Sequence, residues 1–334
     1  MSTSESTAQR APIAALFIAV IVSLLLVGVP RVAVASSRDD LVVEVGSYDL
    51  AVGPATRFIA GVFTADHRYV GWGTVQMQFS FLGSGRASTK RVARPASVAR
   101  FTAHFLAVPG VAIKPEPTAP TILSATKGRG VYASQVSFDR PGFWQVAVKA
   151  HINGGPARTA TAAFEVLDHH LVPAPGDAAL ATENLTLSSP GTTPQSIDSR
   201  ASAGSIPDPD LHRSTIADAL RAHQPAVVVF STPAFCTSRM CGPITDMIQR
   251  LAKDDPDRAS FVHVEIWKSF ADQQVNDAAS EWLAAHGNDL REPWVFLIGA
   301  DGRIAARWDN VVTRGEIEPL LRMLPSLAAA PTDR

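Results

Sequence analysis

Sulfur is scarce in this chain: 334 residues carry two cysteines, Cys236 and Cys241. A framework of several disulfides is therefore excluded, and any thiol chemistry must run through this one pair. Excess charge is missing as well. Thirty Lys and Arg against 31 Asp and Glu leave a formal charge of −1, without the strongly basic balance that nucleic-acid binding calls for. Histidines at ligand-like spacing are also lacking. His67, His104 and His151 are scattered singly and read as ordinary surface or satisfied histidines, while the adjacent His169-His170 opens a Pro- and Ser-rich stretch.

Charge is wholly absent from residues 11–30, a run dominated by Ala, Ile, Val and Leu between Arg10 and Arg31. About 20 such residues can span a bilayer as a helix. Ala33-Val34-Ala35 offers the small-x-small pattern of a signal cleavage site instead. Anchor and cleaved signal both remain open over residues 1–39, and both predict folded domains outside the cytosol, membrane-attached through residues 11–30 if uncleaved. No cysteine lies near residue 30, which excludes a bacterial lipid anchor. Export matters for the cysteine pair, because disulfides persist in oxidising compartments.

What is present around the cysteines is a junction. Residues 226–230 form an uninterrupted apolar run rich in Val, the pattern of a buried parallel strand. Beyond the pair, Ile244, Met247, Ile248 and Leu251 recur at helical spacing. Cysteines between such a strand and helix meet free N–H groups and the positive end of the helix dipole, which favour thiolate. Four residues separate the two. On a regular helix five positions correspond to about 140° of rotation, so the sulfurs would point apart. They can pair if Cys236 lies in the loop before the helix, or if the first turn unwinds, which Pro243 makes easier. A static structural disulfide is the plain alternative, although so short a loop removes little chain entropy.

The exported length predicts two domains. Residues 40–168 show short alternating segments at 41–46, 57–64, 74–81, 101–107, 130–138, 143–150 and 160–167, separated by turns such as Asp139-Arg140-Pro141-Gly142. This predicts an all-β, antiparallel, immunoglobulin-like sandwich. Residues 169–210, rich in Pro, Ser, Thr, Ala and Gly, cannot fold alone and are expected to form a flexible or draped linker. From 211 to 326 the order is βαβ, then α, then ββα, with a helix near 214–223 capped by Ser214, strands at 261–267, 294–298 and 304–308, a helix around 272–286 stopped by Gly287, and a last helix opened by Thr313 and Glu316 as a capping box. Residues 327–334 form a tail.

Three motifs in this second half carry a resemblance: Phe230 to Cys236 running into Cys241-Gly242-Pro243, Glu292-Pro293 directly before the strand at 294–298, and Asp301-Gly302 in the following hairpin. Together they resemble the thioredoxin superfamily. The resemblance implies an α/β thioredoxin-like domain in which Cys236 attacks a substrate thiol or disulfide, Cys241 resolves the mixed disulfide, and Pro293 is the cis-proline that packs against the sulfurs. A second register, with Cys241-Gly242-Pro243 as the start of the motif and Cys241 as nucleophile, stays open. The hairpin at 130–148 is similar to the last hairpin of small extracytoplasmic domains of the YtkA or FixH type. The expected function is extracytoplasmic thiol–disulfide exchange with other exported proteins, with no cofactor and no metal.

Two rivals come from the same motif. Thr232 to Cys241 is similar to the peroxidatic and resolving pair of peroxiredoxin Q proteins, which share the four-residue gap, but Pro233 stands where those proteins place threonine. The Sco family of copper-binding proteins adds a histidine close before the late strand, and residues 288–293 contain none; His286 lies a turn too early and His263 lies mid-strand. Soft thiolates would suit Cu(I) in that reading.

Overall fold

The computed structural model describes residues 40–85, 96–111, 114–123, 129–283 and 290–325. The anchor or signal at 1–39, the helix stop at Gly287, His286 and the tail lie outside the described residues. From Ser37 onward the chain forms one compact unit, built mostly of β-sheet with few helices, consistent with a β-sandwich in its first part.

Nine strands make the large sheet: β1 (Leu41–Val45), β2 (Thr56–Thr64), β3 (Tyr69–Gly71), β4 (Thr74–Gly83), β5 (Ala96–Ala107), β6 (Thr121–Leu123), β7 (Gly130–Val136), β8 (Gly142–His151) and β9 (Ala157–Val166). All pairings are antiparallel, in the order β6-β3-β2-β7-β5-β4-β8-β9, with β1 joining at β2. The sheet curls until the chain after β9 meets the chain after β1, where Val52 and Leu167 donate to Leu167 and Leu50 carbonyls. Inside, Phe58, Phe79, Phe138 and Phe164 pack edge-on or tilted at 4.8–6.2 Å, an arrangement that suits the ring quadrupoles. The turn into β8 needs Gly142, whose φ is +124° and whose missing Cβ would meet the Gly83 carbonyl oxygen at 2.7 Å.

Strand alternation sends neighbouring residues to opposite faces. Phe58 and Ala60 of β2 face the sandwich interior, whereas Ile59, with Val131 of β7, joins a second core that continues into the C-terminal half. That half holds a four-stranded sheet in the order β11 (Ser260–Glu265), β10 (Ala226–Ser231), β14 (Trp294–Ile298), β15 (Ile304–Asp309). β10 runs parallel to β11 and antiparallel to β14, and β14–β15 is the expected hairpin. Both faces are covered, which is why β14 and residues 226–230 of β10 are apolar. Val227, Val229 and Leu297 pack with α3 (Cys241–Asp254) and α5 (Arg314–Met323). Val228, Phe230 and Phe296 pack with α2 (Ile216–Arg221) and α4 (Asp277–Leu283).

Two expectations change at their edges. The cap of α2 is Thr215 rather than Ser214, because Thr215 and Asp218 close a capping box. The helix expected over 272–286 yields its first turn to a small hairpin, β12 (Trp267–Ser269) with β13 (Gln274–Val275), so that α4 starts at Asp277.

Of the two forms expected for the linker at 169–210, flexible or draped, the stretch takes the draped one. It contains a short helix, α1 (Pro194–Ile197), and buries Val172, Ala174, Ser196, Ile197, Asp198, Ser199 and Asp208. What compensates for its few large apolar groups is hydrogen bonding: Ser199 N–H donates to Glu265 at 2.8 Å, Asn276 donates to the Ser196 carbonyl at 3.0 Å, and Thr182 both donates to Glu281 and accepts from Trp282. Its polar groups thereby satisfy those of β11 and of the start and face of α4.

Candidate redox site

The end of β10 delivers the chain to the site. Cys236 N–H donates to the Thr232 carbonyl at 3.1 Å, and Arg239, at φ +59°, turns the chain so that its own N–H donates to the Cys236 carbonyl. Helix α3 then starts at Cys241. Cys236 therefore lies in the loop and not on the helix, which is how a four-residue gap brings both sulfurs to disulfide distance with Cα atoms 6.0 Å apart. The two differ in access. Cys236 is 9% exposed and Cys241 is wholly buried. Ser238 Oγ lies 3.1 Å from Cys236 Sγ and accepts from Met240 N–H.

Pro293 is buried and its bond to Glu292 is cis. A carboxylate oxygen of Glu292 and both sulfurs lie within 4.8 Å of one another. Glu292 Oε2 is sealed from solvent without a hydrogen-bond partner, and Tyr48, from the sandwich half, donates its hydroxyl to the Glu292 carbonyl at 2.9 Å. Burial, reinforced by the charge of Glu265, pushes the Glu292 carboxyl up to about 7, against the opposing influence of Thr232. Glu265 is 2% exposed. It accepts from Thr232 Oγ1 at 2.7 Å, Ser199 N–H at 2.8 Å and Trp267 N–H at 3.3 Å. Its pKa is raised by burial, with His263 opposing.

Beneath the first turn of α3 runs a buried polar chain. Thr245 Oγ1 donates to the Cys241 carbonyl at 2.9 Å and lies 2.7 Å from Ser231 Oγ, which in turn lies 3.1 Å from His263 Nε2. His263 Nδ1 faces Asp208 and Asp198 at 3.5 and 3.6 Å, and His212 Nε2 meets Asp208 at 3.2 Å. These two carboxylates and two imidazoles have ligand-like spacing, but the cationic place is taken. Arg200 bonds Asp198 at 2.7 Å and Asp208 at 3.1 Å, and reaches Asp246 as well. Burial alone would push the His263 pKa down; the close carboxylate of Asp208, with Asp198 and Glu265, holds it up at about 9. His212 is lowered by burial despite Asp208.

On the surface beside Cys236, Phe235 and Phe270 stack at 4.2 Å while remaining 46% and 44% exposed. They border a cavity of about 610 Å³ shared with Thr192, Gln195, Lys268 and Gln274.

The structure brings Cys236 and Cys241 together and places beside them the carboxylate of Glu292, the residue before the cis-proline Pro293. Sequence reasoning missed the role of Glu265 and Glu292 and treated His263 as a mid-strand histidine. The available signal was two ionisable residues, His263 and Glu265, inside an otherwise apolar strand, which demand buried partners. His67, His104 and His151 stay outside this cluster, as expected, with the His151 ring bonded to the Gly155 carbonyl.

No family model and no curated protein matches the chain. Among solved structures it is similar to the PKD domain of the human VPS10 domain-containing receptor SorCS2, at 14% identity and a TM-score of 0.18, covering 49% of this chain and 95% of that one. At that TM-score the likeness carries no argument, and the site itself is what bears on function.

Proposed function

We propose that the chain is an extracytoplasmic thiol–disulfide exchange protein whose C-terminal half is a thioredoxin-like domain and whose partners are exported protein thiols or disulfides. The observation that carries this reading is the cysteine pair at a strand-to-helix junction, beside the carboxylate of the residue that precedes a buried cis-proline, with Cys236 slightly exposed and Cys241 wholly buried. A partner thiolate attacks Cys236 Sγ, the S–S bond breaks, and its electron pair leaves on Cys241 Sγ. The free N–H groups of the first α3 turn favour that thiolate. A second thiol of the partner then attacks its own sulfur of the mixed disulfide and releases Cys236, so that the partner is oxidised as the pair is reduced; the reverse sequence reduces a partner. The exposed Phe235–Phe270 stack gives an incoming chain an apolar surface next to Cys236. The peroxidase reading fares worse, since Thr232 is committed to Glu265. So does the copper-delivery reading with a histidine ligand: His263 Nε2 is held by Ser231.

Substitution tests the assignment. Cys241→Ser is expected to accumulate a mixed disulfide through Cys236, visible by non-reducing electrophoresis and mass spectrometry, and Cys236→Ser to abolish exchange. The wild-type pair is expected to equilibrate with glutathione or dithiothreitol buffers between about −270 and −120 mV. A potential below about −300 mV, with no trapped partner, would mark an inert bridge.

A further inference from the structure

Reduction frees two sulfurs beside a carboxylate that has an oxygen without a hydrogen-bond partner. A dithiol reductant converts the Cys236–Cys241 disulfide into two thiols and leaves as its own disulfide. Those thiols sit beside the Glu292 carboxylate. His263, beneath the first turn of α3, is tied to Asp208 and Asp198. Glu292 meanwhile keeps Oε2 sealed and without a hydrogen-bond partner, and one of its oxygens lies within 4.8 Å of each sulfur. A tetrahedral divalent ion with bonds of about 2.3 Å to sulfur and about 2.0–2.2 Å to oxygen sets its ligand atoms some 3.4–3.8 Å apart. Once the S–S bond is gone, the two sulfurs have only to part to that spacing.

We propose that reduced Cys236 and Cys241, together with Glu292, form a redox-gated site for a divalent cation of the zinc class. Two thiolates exclude hard ions such as Mg²⁺ and Ca²⁺, and the hard carboxylate oxygen suits a borderline divalent ion better than Cu(I). Binding displaces the two thiol protons and leaves the metal's valence unchanged. Three protein ligands leave a fourth position for water or a small ligand. Oxidation to the disulfide removes two of the three ligands and expels the ion. The inference requires only that the pair can be reduced, and does not depend on exchange with a protein partner.

The test is a Co²⁺ titration of the full chain under anaerobic conditions, before and after reduction with a phosphine, followed by competition with Zn²⁺. The expected result is one Co²⁺ per reduced chain, with a thiolate-to-cobalt charge-transfer band and visible d–d bands, and none of these in the oxidised chain. Zn²⁺ should bleach the spectrum. Glu292→Gln should weaken affinity at least about tenfold, the scale on which metal sites respond to lost supporting groups, and alter the d–d bands; Cys241→Ser should abolish the charge-transfer band. A fully reduced wild-type chain without the band overturns the proposal, as does a Glu292→Gln variant whose affinity and spectrum are unchanged. Should that variant fail to fold, the wild-type titration still decides. Loss of mixed-disulfide trapping with the cobalt spectrum intact would sink the exchange function and leave the metal site standing.

Discussion

Two imidazoles 5.0 Å apart carry opposite protonation preferences because their contacts differ. His263 faces two carboxylates and is held charged, at about 9; His212, bonded to one of them and otherwise buried, is held neutral. Since the folded-state pKa of His263 lies above its ordinary 6.5, its contribution to stability is complete below pH 6.5 and disappears as pH rises through 9. His212 acts the other way, contributing above pH 6.5 and losing that contribution on acidification. Urea unfolding of the wild type is therefore expected to show a free energy that declines from pH 6.5 to 9. Asp208→Asn, which strips His263 of its nearest counter-charge, should lose about 3–5 kcal/mol at neutral pH, the cost of leaving a buried charge unpaired, and flatten that decline. A wild-type free energy that holds constant across the window would contradict a charged His263.

Among the elements, the stretch between the two sheets behaves least like its composition. Arg200, Asp198, Ser199, Asp208 and His212 all place polar groups into the side of the cysteine helix and of β11. Under native conditions this stretch is expected to resist limited proteolysis as well as the strands do, and Arg200→Ala to open it to cleavage; rapid cutting of the wild type between residues 180 and 212 would restore the picture of a loose tether. The contrast shows what was legible in the sequence. The seven alternating segments all emerge as strands, because a period of two with a buried face leaves little choice. The β14–β15 hairpin and the α5 capping box are equally plain, as are the pairing of Cys236 with Cys241 and the cis bond before Pro293. Hidden were β3 and β6, each three residues long, too short for any period to declare itself. Hidden also were the partnerships of Glu265, Glu292 and His263. They join residues 55 positions apart in the chain (His263 with Asp208), 66 apart (Glu265 with Ser199) and 244 apart (Glu292 with Tyr48), and local patterning carries no information on such pairs.

Over the whole molecule the two halves share more than a tether. Arg57 of β2 bonds Glu316 at 2.8 Å and lies 3.5 Å from Asp309, which is buried and raised in pKa by that burial despite the guanidinium. Arg307 reaches across the other way to Asp49 at 2.8 Å. Burial would raise Asp49, yet the hydrogen bond from His170 and the charge of Arg307 hold it at about 2. With Ile59 and Val131 embedded in the core of α3 and α5, the chain should unfold in one transition, with far-ultraviolet circular dichroism and tryptophan fluorescence coinciding. Arg57→Ala should cost about 3–5 kcal/mol by abandoning Asp309, and two well-separated transitions in the wild type would show that the halves are independent.

The hydroxyl of Tyr48 on the backbone of Glu292 has a practical corollary for anyone dissecting this protein. A gene fragment trimmed to residues 211–326 would keep every cysteine and the proline, and so look complete on paper. It would nonetheless lose the strut behind the residue next to that proline, lay bare the carboxylate of Asp309, and surrender the apolar cover that Ile59 and Val131 supply. Assays on such a half would report the behaviour of a damaged surface, and only the intact chain offers a fair specimen.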